Sequence, residues 1–322
     1  MFLRRSSRIP LLCLGAAALL SADNPANIVG SGYAFRGPVG VAPGQITTFF
    51  VSGFAPIDQP ISATTTPLPY KLGGISANLN PGPAARVPIL SVFPVNTCLD
   101  NLLENLIPCG TIIGVTVQIP FELQPDSGAR PPNWYFLTIS DDSGHSSSTR
   151  IMAESDRIQI RTFDSPYSAI EASVTHADGT AVDFSHPAKP GEEVVMYAAG
   201  LGATIPAVAT GVASPSPAAA SGGFYLNFDY RPNAMPSAGV IPPGAPTTTA
   251  TQPLFTGLTP GFVGLYQVNF VIPAPPGPLP PCVGPRSIGY GANPFAAVLS
   301  NLTVTLVGSS FDGAAICVSA GT

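Results

Sequence analysis

The chain has 322 residues, only 10% of them charged, and a formal net charge of −5. So few Lys and Arg on an acidic protein release few counterions from a phosphate backbone, which argues against nucleic acid as a partner. The length suits two domains, and 45% hydrophobic content separates the chain from disordered proteins despite 38 prolines and 33 glycines.

Residues 1–22 read as a secretory leader. Arg4, Arg5 and Arg8 form a basic start, Ile9 to Leu20 an apolar run, and Ser21-Ala22 a small-residue cleavage site before Asp23. The run is too short to span a bilayer. No later stretch approaches that length, so no membrane span is expected in the mature chain. The leader takes three of the 13 basic residues and none of the 18 acidic ones, leaving ten against 18, a formal −8.

Two segments then say the same thing. Val41-Ala42-Pro43-Gly44-Gln45 leads into the apolar run Ile46 to Val51, and Ala188-Lys189-Pro190-Gly191-Glu192 leads into Glu193 to Ala199. Each has a downstream counterpart ending in Ile-Pro, Val115 to Pro120 and Tyr266 to Pro273. Proline fixes φ and glycine accepts a positive φ, so each Pro-Gly starts a strand from a tight turn. The repeat predicts two related β-domains, residues 23–164 and 165–322, with a boundary near Asp164-Ser165-Pro166.

In chain order, strands are predicted near 46–52, 73–79, 87–93, 111–119, 134–140 and 157–163. The second half adds 168–175, 192–199, 223–229, 263–272, 298–307 and 312–318. Alternation turns Val115, Val117 and Ile119 inward and Thr116 and Gln118 out; Tyr266, Val268, Phe270 and Ile272 share one face. The segment 157–161 finishes the first sandwich or passes directly into the second. Leu99 to Leu106 is the one predicted helical turn. Residues 203–220 and 231–253 read as long loops, and Pro273 to Pro281 as rigid polyproline-like chain. Many short strands with Gly and Pro between them make the fold class all-β, two tandem β-sandwiches.

Cys13 leaves with the leader, and Cys98, Cys109, Cys282 and Cys317 remain. An even count in an exported chain reads as disulfides. Four cysteines allow three pairings; the local ones, Cys98–Cys109 and Cys282–Cys317, are favoured, each contributing about 3 to 4 kcal/mol in the chain-entropy model. A four-thiolate zinc site needs close pairs such as C-x2-C, which this spacing lacks.

Several motifs carry a family resemblance. His176-Ala177-Asp178-Gly179-Thr180, His186 to Glu192, Tyr197 to Gly202 and Leu258 to Asn269 are similar to a C-terminal domain family of acidobacterial secreted proteins. Leu68 to Ile75 and Gln118 to Leu123 carry the resemblance in the first half. It implies tandem immunoglobulin-like (IPT/TIG-like) sandwiches and export, and it brings no activity with it. The chain departs from the family pattern in its cysteines and in inserts around 96–110 and 275–297.

Chemistry is sparse. His145, His176 and His186 lack metal spacing and read as exposed turn residues. No G-x-S-x-G elbow, Walker loop or dinucleotide fingerprint occurs; Gly308 to Gly313 reads as a strand-to-strand turn. Asp141-Asp142 offers calcium two carboxylates without a surrounding motif, and the sequon Asn301-Leu302-Thr303 falls in a strand. In Trp134-Tyr135-Phe136, alternation sets Tyr135 opposite the other two rings, and the single tryptophan is assigned to the core.

The expectation is therefore an exported non-enzyme, secreted or held at the cell envelope, without cofactor or metal. It would act as an adhesion or interaction module on a protein or polysaccharide partner, through the loops at 203–220 and 231–253. The alternative is a polysaccharide-binding accessory module with an exposed aromatic row including Tyr225, Tyr230 and Tyr290.

Overall fold

The computed structural model describes residues 26–31, 38–81, 86–95, 112–125, 134–162, 171–231, 234, 251–288 and 295–319. The leader, Cys98, Cys109, the turn at 99–106, Asp164 to Pro166, Tyr290 and most of 231–253 lie outside the described residues. Within them every regular element is a strand.

The N-terminal half contains β1 (Asn27–Ser31), β2 (Val39–Val41), β3 (Ile46–Ser52), β4 (Ile61–Ser62), β5 (Lys71–Leu72) and β6 (Ile75–Asn80). After these come β7 (Arg86–Val87), β8 (Ile89–Val95), β9 (Ile112–Gln118), β10 (Trp134–Ser140) and β11 (Ser146–Ala153). One sheet has the order β1-β3-β9-β8-β4 and the other β2-β11-β10-β6-β5, with β7 beside β6. Their facing sides share one core: Phe49, Val51, Val115 and Val117 from the first, Ile75, Leu79, Leu137, Ile139 and Ile151 from the second.

The C-terminal half runs β12 (Gln159–Ile160), β13 (Val174–Thr175), β14 (Glu193–Ala199), β15 (Thr204–Ile205), β16 (Ala218–Ala220) and β17 (Tyr225–Asp229). It continues with β18 (Phe255–Leu258), β19 (Tyr266–Val271), β20 (Val283–Ile288), β21 (Phe295–Leu299), β22 (Leu302–Val307) and β23 (Phe311–Ile316). The order β12-β14-β19-β18-β16-β15, with β13 beside β14, faces β17-β22-β23 across a second core. Strands β20 and β21 form a separate antiparallel pair.

The Pro-Gly repeat has the same structure twice. Gly44 and Gly191 have φ of 74° and 84°. Gly44 N donates to Ile119 O at 2.9 Å and Gly191 N to Ile272 O at 2.8 Å. Ile119 N and Ile272 N donate back to Gln45 O and Glu192 O, each at 2.8 Å. Even the side chains match: Gln45 Oε1 receives Ala42 N, and Glu192 Oε2 receives Lys189 N, both at 2.8 Å. Before each turn the chain pairs in parallel near the end of its half, β2 with β11 and, as a single bridge, Ala188 with Val318 just after β23.

Residues 154–160 join the halves and side with the second. Ile158 and Ile160 belong to the C-terminal core, and β12 pairs with Ala198 and Ala199 of β14. The backbone of Ser155 and Arg157 runs close against Gly200 and Gly202, where a Cβ would sit 2.0 Å from Arg157 O and 2.1 Å from Ser155 O. Both glycines have positive φ, so this motif is read as backbone approach. Asp156, 5% exposed, accepts Ser309 N, Ser309 Oγ, Ser310 N and Ser310 Oγ at 2.6–2.9 Å.

Two expectations change here. Thr116 and Gln118 do face away from the first core, yet Gln118 is 0% exposed. The segment 203–220, expected as a free loop, covers it: Gly211 N donates to Gln118 Oε1 at 2.6 Å, and Leu68 N to Gly211 O at 2.8 Å. Thr210 Oγ1 receives Phe121 N at 2.9 Å and donates to Glu122 at 2.7 Å. Its ends form β15 and β16. The segment is a seam between the halves.

Cys282 and Cys317 form a disulfide, with Cα atoms 5.4 Å apart across 35 positions. The proline run before Cys282 is pinned at both ends: Tyr230 OH donates to Pro273 O, and Asn301 Nδ2 to Pro280 O at 2.9 Å. Asn301, the sequon residue, is buried and also bonds Val318 through N–H and C=O.

Candidate functional site

The outer face of the β11-β10-β6 sheet carries the most distinctive exposed chemistry. Its residues follow from alternation and register. Tyr135, Leu137 and Ile139 of β10 point into the core, so Trp134, Phe136 and Thr138 point out. Trp134 is half-buried and Phe136 is 45% exposed, which corrects the assignment of Trp134 to the core. Tyr135 packs inward in its place, its hydroxyl donating to Gln124 O at 3.4 Å.

Directly paired residues lie on one face. Phe136 sits between Arg150 of β11 and Asn80 of β6. Thr138 sits between Ser148 and Asn78, and Asn78 pairs with Arg86 of β7. The Thr138 and Ser148 hydroxyls hydrogen-bond at 2.7 Å. The Arg150 guanidinium lies 5.3 Å from the Trp134 ring centroid, and the Arg86 guanidinium 4.6 Å from that of Tyr70. Two ring–guanidinium pairs therefore flank a row of amides and hydroxyls. At the far end Lys71 is ion-paired with Asp142.

Strand β11 was absent from the predicted strands because Ser146-Ser147-Ser148-Thr149-Arg150 has no apolar alternation. Ser147 is buried by accepting Ile28 N at 2.9 Å, so a hydroxyl fills an inward place usually held by an apolar residue. The turn signal Asp141-Asp142-Ser143-Gly144-His145 did point to a hairpin here. It closes with Asp141 N donating to His145 O at 3.0 Å.

The aromatic row expected from Tyr225, Tyr230 and Tyr290 is not formed by the described residues. Tyr230 is 8% exposed inside the C-terminal core, and burial pushes its hydroxyl up to about 12. Tyr225 is half-buried on β17, and Tyr290 lies outside the described residues.

The histidines are occupied in the fold. His176 Nδ1 lies 2.5 Å from Glu192 Oε1, and its Nε2 lies 3.1 Å from His186 O. The bond to Glu192 holds the imidazole above its ordinary range. Desolvation works against the Glu192 charge, yet hydrogen bonds from His176 and Lys189 hold it below the usual carboxylate range. His145 N and Nδ1 both meet Asp141, at 2.9 and 2.8 Å. His186 Nδ1 lies 3.3 Å from Asp183. Among the described residues no three His, Cys, Asp or Glu side chains are grouped to hold a metal ion.

A concavity of about 400 Å³ opens at the junction, lined in part by Ser31, Gln45, Arg157, Gln159 and Asp312. Burial raises the Asp312 carboxyl, which accepts Ile160 N at 2.8 Å and Gly313 N at 2.9 Å. Its acceptors thus hold the joining segment. No helix among the described residues is long and apolar enough to cross a membrane.

No protein-family profile matches this chain, and no curated protein matches it. Solved structures similar to it include one described as "Tandem Ig repeats of Dlar". That chain is 10% identical, with 92% of this chain and 95% of that one covered and a TM-score of 0.17.

Proposed function

We propose that this chain is an exported, non-enzymatic protein of two tandem immunoglobulin-like sandwiches that works by surface contact as an adhesion or interaction module. The observation that carries the reading is the outer face of β10 and β11, where Trp134, Phe136 and Arg150 lie together on paired strands. Aromatic residues and arginine are enriched among the residues that carry most of the binding energy at protein interfaces, and here three of them share one outward face. Twofold repetition of the Pro-Gly turn, its hydrogen bonds and the parallel closing pair supports two domains of one plan. The leader-like start and the Cys282–Cys317 disulfide support export to an oxidising compartment.

This reading takes a sheet face as the contact surface in place of 203–220, which is engaged between the halves. The test is retention of the oxidised chain on a cell-envelope fraction and on immobilised polysaccharides. Trp134→Ala/Phe136→Ala should keep the wild-type Tm, because both rings lie outside the core, and lose about tenfold or more in retention. Undiminished retention of a folded double variant would remove this face as the contact surface.

The second reading, a polysaccharide-binding accessory module, is favoured by Asn78, Asn80, Thr138 and Ser148 beside the rings. Rings stack on the apolar faces of sugars while amides and hydroxyls meet sugar hydroxyls.

A further inference from the structure

Resting on that contact face, we infer that its occupant is an acidic polysaccharide, a strand of carboxylated sugar rings lying across β11, β10, β6 and β7. The charge distribution is the first reason. Outside the leader the chain has ten Lys and Arg against 18 Asp and Glu, yet Lys71, Arg86 and Arg150 all project from this one face. Lys71 is taken by Asp142. Among the described residues neither Arg86 nor Arg150 is ion-paired with a carboxylate; each guanidinium is placed by a ring instead. A guanidinium resting on a ring keeps its fork of N–H donors for a planar acid, and a carboxylate matches that fork with two parallel hydrogen bonds.

Spacing and the intervening chemistry are the second reason. Three inter-strand steps separate Arg150 from Arg86, a span of roughly 15 Å. Between them run Phe136, Thr138, Asn78 and Asn80, a ring followed by neutral donors and acceptors. A chain of linked sugars offers that sequence in complement: charge, apolar ring face and hydroxyls, charge. An acidic peptide fits less well. Its carboxylates sit on flexible side chains with no apolar ring face between them to meet Phe136.

Trp134 is the only tryptophan, so the emission of the full-length oxidised protein reports on this face. The chain is titrated with polygalacturonate, dextran and polyglutamate. Polygalacturonate should shift Trp134 emission saturably, and dextran and polyglutamate should leave it unchanged. Arg150→Gln, which keeps the reporter and alters an exposed side chain, should weaken polygalacturonate about tenfold, and Arg86→Gln should do so independently. Equal responses to dextran and polygalacturonate would overturn the acidic class and leave the face a glycan surface. An equal response to polyglutamate would make it a general polyanion site, which also overturns the inference. Silence toward all three, with envelope retention still lost in Trp134→Ala/Phe136→Ala, would overturn the glycan and point to a protein. Silence with retention intact in that variant would overturn the contact face itself.

Discussion

Asp156 shows how one side chain can set the path between two halves. Four donors, two backbone N–H groups and two hydroxyls from Ser309 and Ser310, converge on a carboxylate almost closed to solvent. Ser310 Oγ in turn receives Ile158 N at 2.8 Å, and Ser155 Oγ meets Ser309 Oγ at 2.9 Å. The joining segment is thereby fastened to the β22–β23 turn. Asp156→Ala would leave four donors without their acceptor, and hydrogen bonds to charged groups are the costly ones to lose. Urea unfolding should show a loss of about 3 kcal/mol; a loss under about 1 kcal/mol would mean water replaces the carboxylate. Sequence reading did recognise Gly308 to Gly313 as a turn between strands. It had no means of finding its partner 153 positions earlier, because a lone Asp in Glu154-Ser155-Asp156-Arg157 looks like any solvated loop residue.

At the scale of elements, the His176–Glu192 pair gives the β13–β14 region a pH dependence of its own. The His176–Glu192 pair holds the turn before β14 against the turn after β13. His176 has its folded value raised above 6.5, so its contribution is fully present below 6.5 and is lost as pH rises through the raised value. Glu192 has its folded value lowered beneath 4.5, so its contribution is present above 4.5 and is lost as pH falls through the lowered value. Between those limits the pair contributes most. The Tm difference between wild type and His176→Gln should therefore be largest near pH 5.5 and shrink toward pH 9. A difference constant over that range would show that the pair is not the source. Strands β3, β6, β8, β9, β10, β14, β17, β19, β22 and β23 were legible because apolar residues alternate or run together in them. Short pieces such as β4, β5, β15 and β16 were not, for two or three residues carry no period. The outward Trp134 was misjudged by size. Alternation set it with Phe136 and Thr138, while the fully apolar Leu137 and Ile139 on the opposite side owned the core.

Across the whole molecule, the two halves meet through a buried hydrogen bond, apolar packing and close backbone approach. Gln118 is fully enclosed while bonded to Gly211, Phe121 packs against the C-terminal core, and Gly264 lies against Gly44 and Ile46. Such a seam couples the halves, so calorimetry should give a single heat-absorption peak whose calorimetric and van't Hoff enthalpies agree; two resolved peaks would show that the seam adds little. Much of the architecture was readable from local pattern. Pro-Gly turns impose their geometry on whatever follows, period-two hydrophobicity names a buried side, and the spacing of Cys282 and Cys317 suits a local bridge. Those are short-range physical effects that any copy of the segment would carry. The outer face of β10, β11 and β6, the seam at 203–220 and the Asp156 fastening depend on which distant strands become neighbours. Register among β11, β10, β6 and β7 placed two arginines on the face that carries Trp134 and Phe136, and the closeness of the halves enclosed Gln118. Each of these results from contacts between residues far apart in the chain, whose energies exist only once the fold has brought them together.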